Sequence, residues 1–330
     1  MNDNVTYLQP ADAPQMEHIL AANRAYTAAW QQGALKFAPL LQEGLERHVK
    51  LFDSCRRQLA GNAQRLVAEL ASDPLGDILD AFGDDDGAEL VGLAGEARDA
   101  VASLLGRLLA HLASECQALA ALPVLNGQGD KQRLLKQQQA ASGTERQLTE
   151  EHEREAVKVE SVLKAIATLE ANGLQTRFGG VVPSLADLQK LAVPGGEALV
   201  TAEVLTQAVE QLKVLLGDLI EGMRYEQLQR ERRALQERLK GLADQLRELA
   251  RGQAELQSNL AALDDLPRLL VLRAQWESET NALRHSLQAR QAQITNHALT
   301  TASDVASVAQ AFAALLGFLR SLLEQDRRAF

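Results

Sequence analysis

The sequence predicts an all-α protein: an elongated bundle of long helices, with coiled-coil arms and a small apolar head inserted mid-chain. Three observations predict it. Ala and Leu dominate a hydrophobic fraction of 46%, aromatics supply 4%, and only 8 Pro and 22 Gly occur in 330 residues. That composition suits helices and leaves little to build strands. Apolar residues return at steps of three and four over several heptads, the spacing of a coiled-coil seam. Pro and Gly then cut the chain into a few long pieces, not many short ones. By length alone the prior is two globular units or one very elongated one.

Taken in order, residues 1–14, with Pro10 and Pro14, are expected as a flexible N-terminal tail. Residues 15–128 supply the N-terminal helices of a tail bundle. A helical pattern covers 15–31, and a second covers 39–70, where Leu45, Phe52, Leu59 and Leu66 recur every seven residues. Asp73-Pro74 closes it, because the residue before Pro avoids the α region. An acidic stretch follows (Gly76, Gly83, Asp84, Asp85, Asp86, Gly87). A helix over 88–122 then stops at Pro123 and the loop Asn126-Gly127-Gln128-Gly129. On it Leu104, Leu105, Leu108, Leu109 and Leu112 cover a face wider than one seam needs, so it is expected inside the bundle.

Residues 129–173 read as an ascending coiled-coil arm. Leu148, His152, Glu155, Val159, Val162, Ile166 and Leu169 alternate steps of four and three, and Asn172-Gly173 ends the helix with left-handed C-cap chemistry. Residues 174–198 are the head. It holds Phe178, Gly179-Gly180, Val181, Val182 and Pro183; Ser184 and Asp187 form a capping box for a short helix carrying Leu185, Leu188 and Leu191; Val193-Pro194-Gly195-Gly196 follows. Arg177 and Lys190 balance Asp187 and Glu197, so the insert is net neutral. Two readings stand side by side: an exposed oily tip, or a connection tucked against the bundle.

Residues 199–330 complete the pattern as a descending arm and a C-terminal bundle helix. Leu205, Val209, Leu212, Leu216, Leu219 and Met223 form one seam. After a register shift near Tyr225 it resumes with Leu235, Leu239, Leu242, Leu246, Leu249, Leu256, Leu260 and Leu263. As one helix, 199–263 would run roughly 95 Å at ~1.5 Å per residue. Pro267 breaks the run. A last helix carries Leu269, Leu272, Trp276, Leu283, Leu287 and Ile294, then Val305, Val308, Phe312, Leu315, Leu319 and Leu322.

Several function classes are excluded by this reading. A net charge of -10 lacks the basic footprint that nucleic acid requires, and ten acidic residues against two basic ones crowd into 73–122. Cys55 and Cys116 are too few for a disulfide framework. The start, Met1 to Tyr7, has neither a basic n-region nor an apolar h-region, so no classical signal peptide is expected. No window reaches ~18 uncharged apolar residues, the closest being 101–113. His152-Glu153 opens like a zinc-protease motif, but the fourth residue on is Ala156. Asp84-Asp85-Asp86-Gly87 would place Phe82 and Leu93 where a calcium loop needs oxygen ligands. No phosphate or dinucleotide loop is complete. The expectation is a protein that is not an enzyme, with no catalytic residues, cofactor or metal.

The plan of long helices around a low-charge mid-chain insert resembles the α-helical pore-forming toxins. It is most similar to the B component of the xenorhabdolysin-type binary toxins of Gram-negative bacteria. The resemblance implies oligomerisation with a second, A-type long-helical subunit into a ring-shaped hetero-oligomer. It also implies a soluble form made in the cytoplasm, then released, which engages a host bilayer through the head. The residues it assigns to membrane contact are Phe178, Val181, Val182, Leu185, Leu188, Leu191 and Val193. An insert of about 25 residues is shorter than the ~40 needed for two crossing helices, so flanking helices must lengthen or the tip only touches the bilayer. The alternative is a non-enzymatic coiled-coil scaffold or tether with no membrane role.

Overall fold

The computed structural model describes residues 16–82, 87–191, 197–217, 220–296 and 298–329, less the side chains of 191 and 197–200. Eleven helices are present among them: α1 Glu17–Gln31, α2 Pro39–Ala71, α3 Gly76–Asp80, α4 Gly87–Ala121, α5 Gln128–Ala171, α6 Leu174–Arg177, α7 Leu185–Leu191, α8 Glu197–Leu216, α9 Tyr225–Asp264, α10 Leu266–Thr295 and α11 Ala302–Ala329. The described residues hold no named strand. The tail and Asp84 to Asp86 of the acidic loop lie outside them. The chain divides into two compact units, one of Met1–Gln132 with Asn259–Phe330, the other Arg133–Ser258.

In the first unit α4 packs most extensively against α2 and α10, and also touches α11 and α3. Of the broad leucine face, Leu105, Leu108, Leu109 and Leu112 are buried, together with Val101 and Leu119, while Leu104 is half-buried. Pro39 starts α2, where its missing N–H costs nothing. The heptad residues Leu45, Phe52, Leu59 and Leu66 face inward. An aromatic cluster fills the centre: Tyr26 lies edge-on to Phe52 at 5.0 Å, and Phe52 tilts against Trp276 at 4.9 Å. The Tyr26 hydroxyl donates to the Leu269 carbonyl at 2.9 Å, satisfying the polar tip of a buried ring. Arg273 donates to the Leu119 carbonyl at 2.8 Å, adding a second donor to the one that the Leu122 N–H supplies at the end of α4.

Two expectations for this unit need correction. The stretch after Pro267 is two helices, α10 ending at Thr295 and α11 starting at Ala302. There Thr301 and Asp304 form a reciprocal cap: the Asp304 N–H donates to the Thr301 hydroxyl at 3.2 Å, and the Thr301 N–H donates to the Asp304 carboxylate at 2.9 Å. The most apolar long window is not at 101–113 but in α11. That helix is long and apolar enough to cross a membrane by length and composition. Its apolar face, with Val305, Val308, Phe312, Leu315 and Leu319, belongs to the core of the unit.

The second unit is built on α5 and α9. Glu145 accepts from Gln253 at 2.8 Å, Glu151 pairs with Arg238 at 2.9 Å, and Glu170 meets Tyr225. As the number on one helix rises its partner's falls, so the two run antiparallel. Along the seam Leu242 is buried while Leu235, Leu239, Leu246, Leu249 and Leu256 are half-buried. Toward Gly173 the seam closes fully, with Val162, Ile166 and Leu169 buried.

Candidate functional site

The expected head, 174–198, is followed by a helix of its own, α8, before the arm helix α9 begins. The run 199–263 is not one helix: it breaks between Leu216 and Tyr225, where Gly217 and Gly222 take φ of +96° and +80°. Those left-handed angles suit glycine and stop α8 as a C-cap does. What reads in sequence as a register shift near Tyr225 is the start of a new helix, α9. The segment leaving α5 at Gly173 (φ +87°) and entering α9 at Tyr225 spans 174–224, about 50 residues.

Its two ends are tied by backbone. After α6, Gly179 and Gly180 turn the chain at φ of +59° and +74°. Val181 then forms an isolated antiparallel bridge with Arg224. The Val182 N–H donates to the Met223 carbonyl at 2.9 Å, the Gly222 N–H to Val182 at 3.0 Å, and the Tyr225 N–H to Gly180 at 2.8 Å. α7 begins at the expected cap: the Asp187 N–H donates to the Ser184 hydroxyl at 3.1 Å. That hydroxyl donates in turn to the Asp187 carboxylate at 2.6 Å and, with Lys190, holds its pKa below the usual carboxylate range.

The membrane-contact candidates fall into three groups. Val182 (1% exposed) and Leu188 (0%) lie in the centre of the unit's core. Phe178 and Leu185 are half-buried against that core, and Val181 is half-buried at the bridge. Val193 and the Leu191 side chain lie outside the described residues. The core is completed by Leu205, Ala208, Val209 and Leu212 from α8, by Ile220, and by Val162, Ile166 and Leu169 from α5. Among the described residues Val182 and Leu188 favour the covered reading of the insert: α7 packs on α8 with Leu188 turned inward. The α8 residues were absent from the expected head because their spacing continues the seam of the arm. The signal that separates them is Gly217 and Gly222. The exposed side of α8 still carries Val204 (39% exposed) and Val214 (85%).

Little here resembles a chemical centre. Among the described residues no group of three or more His, Cys, Asp and Glu is placed to hold a metal ion. Lys213 and Glu221 pair at 3.4 Å beside the Gly217 turn. Hydrogen bonding to Glu170 raises the pKa of Tyr225.

This arrangement is a fold already seen in solved structures, those of XaxB and PaxB. The chain is similar to XaxB from Xenorhabdus nematophila, with a TM-score of 0.76 and 15% identity over 95% of this chain and 98% of that one. It is similar to PaxB from Photorhabdus luminescens at 0.67 and 16%, covering 93% and 96%. Against a chain of the XaxAB pore complex from Xenorhabdus nematophila the score is 0.54 at 15% identity, covering 98% and 100%. No protein-family model matches the chain, and no curated protein matches it by sequence.

Proposed function

We propose that this chain is one component of a bacterial α-helical pore-forming toxin. It oligomerises with a long-helical partner into a ring and engages a target host membrane through 174–224. The observation that carries the reading is the likeness to XaxB along nearly the whole of both chains. The existence of an XaxAB pore complex supports a second, A-type subunit. The better match to XaxB by itself than to a chain of that complex supports taking this conformation as the soluble form, before insertion.

The head's composition supports the membrane role. About 50 residues exceed the ~40 that two crossing helices need, which removes the shortfall of a 174–198 insert. Phe178, Val181, Val182, Leu185 and Leu188, with Leu191 and Val193 beside them, are the residues that would meet lipid. Val182 and Leu188 are now core and Phe178 and Leu185 pack against it, so contact through them requires the head to open. In water each apolar side chain so released would cost about 1.5–3 kcal/mol. In lipid that cost disappears, since acyl chains are as apolar as the leucines left behind. Opening is therefore expected at the bilayer, and no catalytic step enters it. The test is dye release from phosphatidylcholine–phosphatidylserine vesicles by the chain alone and with the long-helical product of the neighbouring gene. Release by the pair supports the reading; neither binding nor release by the pair overturns it.

A further inference from the structure

Glu170 fastens the head from the side of the arm. Its Oε1 accepts a hydrogen bond from the Tyr225 hydroxyl at 2.5 Å and another from Gln229 Nε2 at 3.1 Å. The two donors sit one turn apart at the start of α9, and Gln229 is buried. Tyr225 joins three parts of the unit. Its hydroxyl reaches α5, its ring packs on the head's core, and its backbone N–H holds the Gly180 carbonyl. Immediately before it, Gly222 and Met223 pair with Val182. Holding the first turn of α9 against the end of α5 thus also holds the strip on which 180–182 is pinned.

We propose that Glu170 and Tyr225, assisted by Gln229, form a latch that sets how readily the head opens. The proposal rests on the reading of 174–224 as the membrane-engaging element. Glycines flank the latched strip at 179, 180, 217 and 222, and a Cβ at any of them would meet nothing within 4 Å. Side-chain packing therefore does not clamp these turns, and once the latch lets go they can swing as hinges.

Hydrogen exchange on the full chain in solution tests the latch without a membrane. Tyr225→Phe keeps the ring and removes only the hydroxyl; Glu170→Ala removes the acceptor. Tyr225→Phe should speed exchange at the Val182, Gly222 and Tyr225 amides about fivefold, the worth of one such hydrogen bond, and Glu170→Ala, which also strips Gln229 of its acceptor, by more, with the first unit unchanged. The double variant should be no faster than the quicker single one, because both cut the same bond. With the partner and phosphatidylcholine–phosphatidylserine vesicles, dye release should accelerate by a similar factor. Unchanged exchange in both single variants overturns the latch. A uniform rise along all helices of 133–258 also overturns it, since the pair would then be an ordinary structural contact. Faster exchange at the bridge with unchanged release leaves the latch standing and sinks the membrane role of the head instead.

Discussion

Val181 stands directly opposite Arg224 as a non-hydrogen-bonded antiparallel pair, with the Val182–Met223 and Tyr225–Gly180 hydrogen bonds on either side. It is the isolated β pairing among the described residues of an otherwise helical chain. It joins the beginning of the head to its end. α7 and α8 lie between the two residues, so the bridge closes the loop that contains every candidate membrane residue except Phe178. Four predictions test this account.

The first concerns the core of the closed head. Leu188 is fully buried, with no polar partner for a substitute. Leu188→Ala should cost about 2–5 kcal/mol through lost contacts and a cavity. Val182→Asp would bury an unpaired charge, a change that costs about 3–5 kcal/mol where a buried partner is missing. Denaturant unfolding or hydrogen exchange of 133–258 reads the loss. Aspartate here is therefore a poor probe of membrane contact, because it loosens the soluble head before any lipid is met.

A second prediction concerns the glycines that divide α8 from α9. Gly217→Ala and Gly222→Ala meet no steric neighbour, yet each forces a side chain into left-handed backbone. Each should destabilise the head by about 1–2 kcal/mol, the cost of that conformation for an L-residue. Unchanged unfolding of either variant would mean that φ at that position relaxes freely.

The third prediction is a pH dependence in the first unit. His48 is fully buried, stacked on Tyr26 at 5.4 Å, with one ring nitrogen held by the Gly44 carbonyl at 2.7 Å. Burial, and secondarily the Arg273 charge, lower its pKa, against the opposing pull of that hydrogen bond. The folded state binds fewer protons than the unfolded state between the two pKa values, so stability rises with pH there. It should be complete above about 6.5 and decline as pH falls below it toward the folded value. Unfolding midpoints from pH 7.5 to 5 measure this, and His48→Gln should flatten the slope.

Much of the fold is legible in sequence where a local rule and the long-range pattern agree. Pro39 starts α2, Gly173 ends α5, and Ser184 caps α7, each at a change of periodicity. The break at 217–224 is masked because Leu205 to Met223 keep their spacing up to it. Leu205, Ala208 and Val209 bury against α5 and α7 in the same helical rhythm that an arm would use. Only the backbone demand at Gly217 and Gly222 distinguishes the two, and glycine in a seam reads as tolerated until its φ is known. The same ambiguity hid the burial of Val182 and Leu188: apolar residues beside glycines suit a covered core and an exposed tip equally. The latch at Glu170 and Tyr225 was invisible because its members lie 55 residues apart.

The central claim is that the head must open to act, and a covalent lock across the bridge tests it most directly. In a non-hydrogen-bonded antiparallel pair the Cα atoms approach to about 4.5 Å, within the range a disulfide spans. Val181→Cys with Arg224→Cys, in a chain also carrying Cys55→Ala and Cys116→Ser, can therefore be closed by oxidation and verified by mass. The measurement is dye release from phosphatidylcholine–phosphatidylserine vesicles in the presence of the partner, before and after reduction. The account predicts no release while the disulfide is intact and full release once it is reduced. Equal release in both states would contradict it.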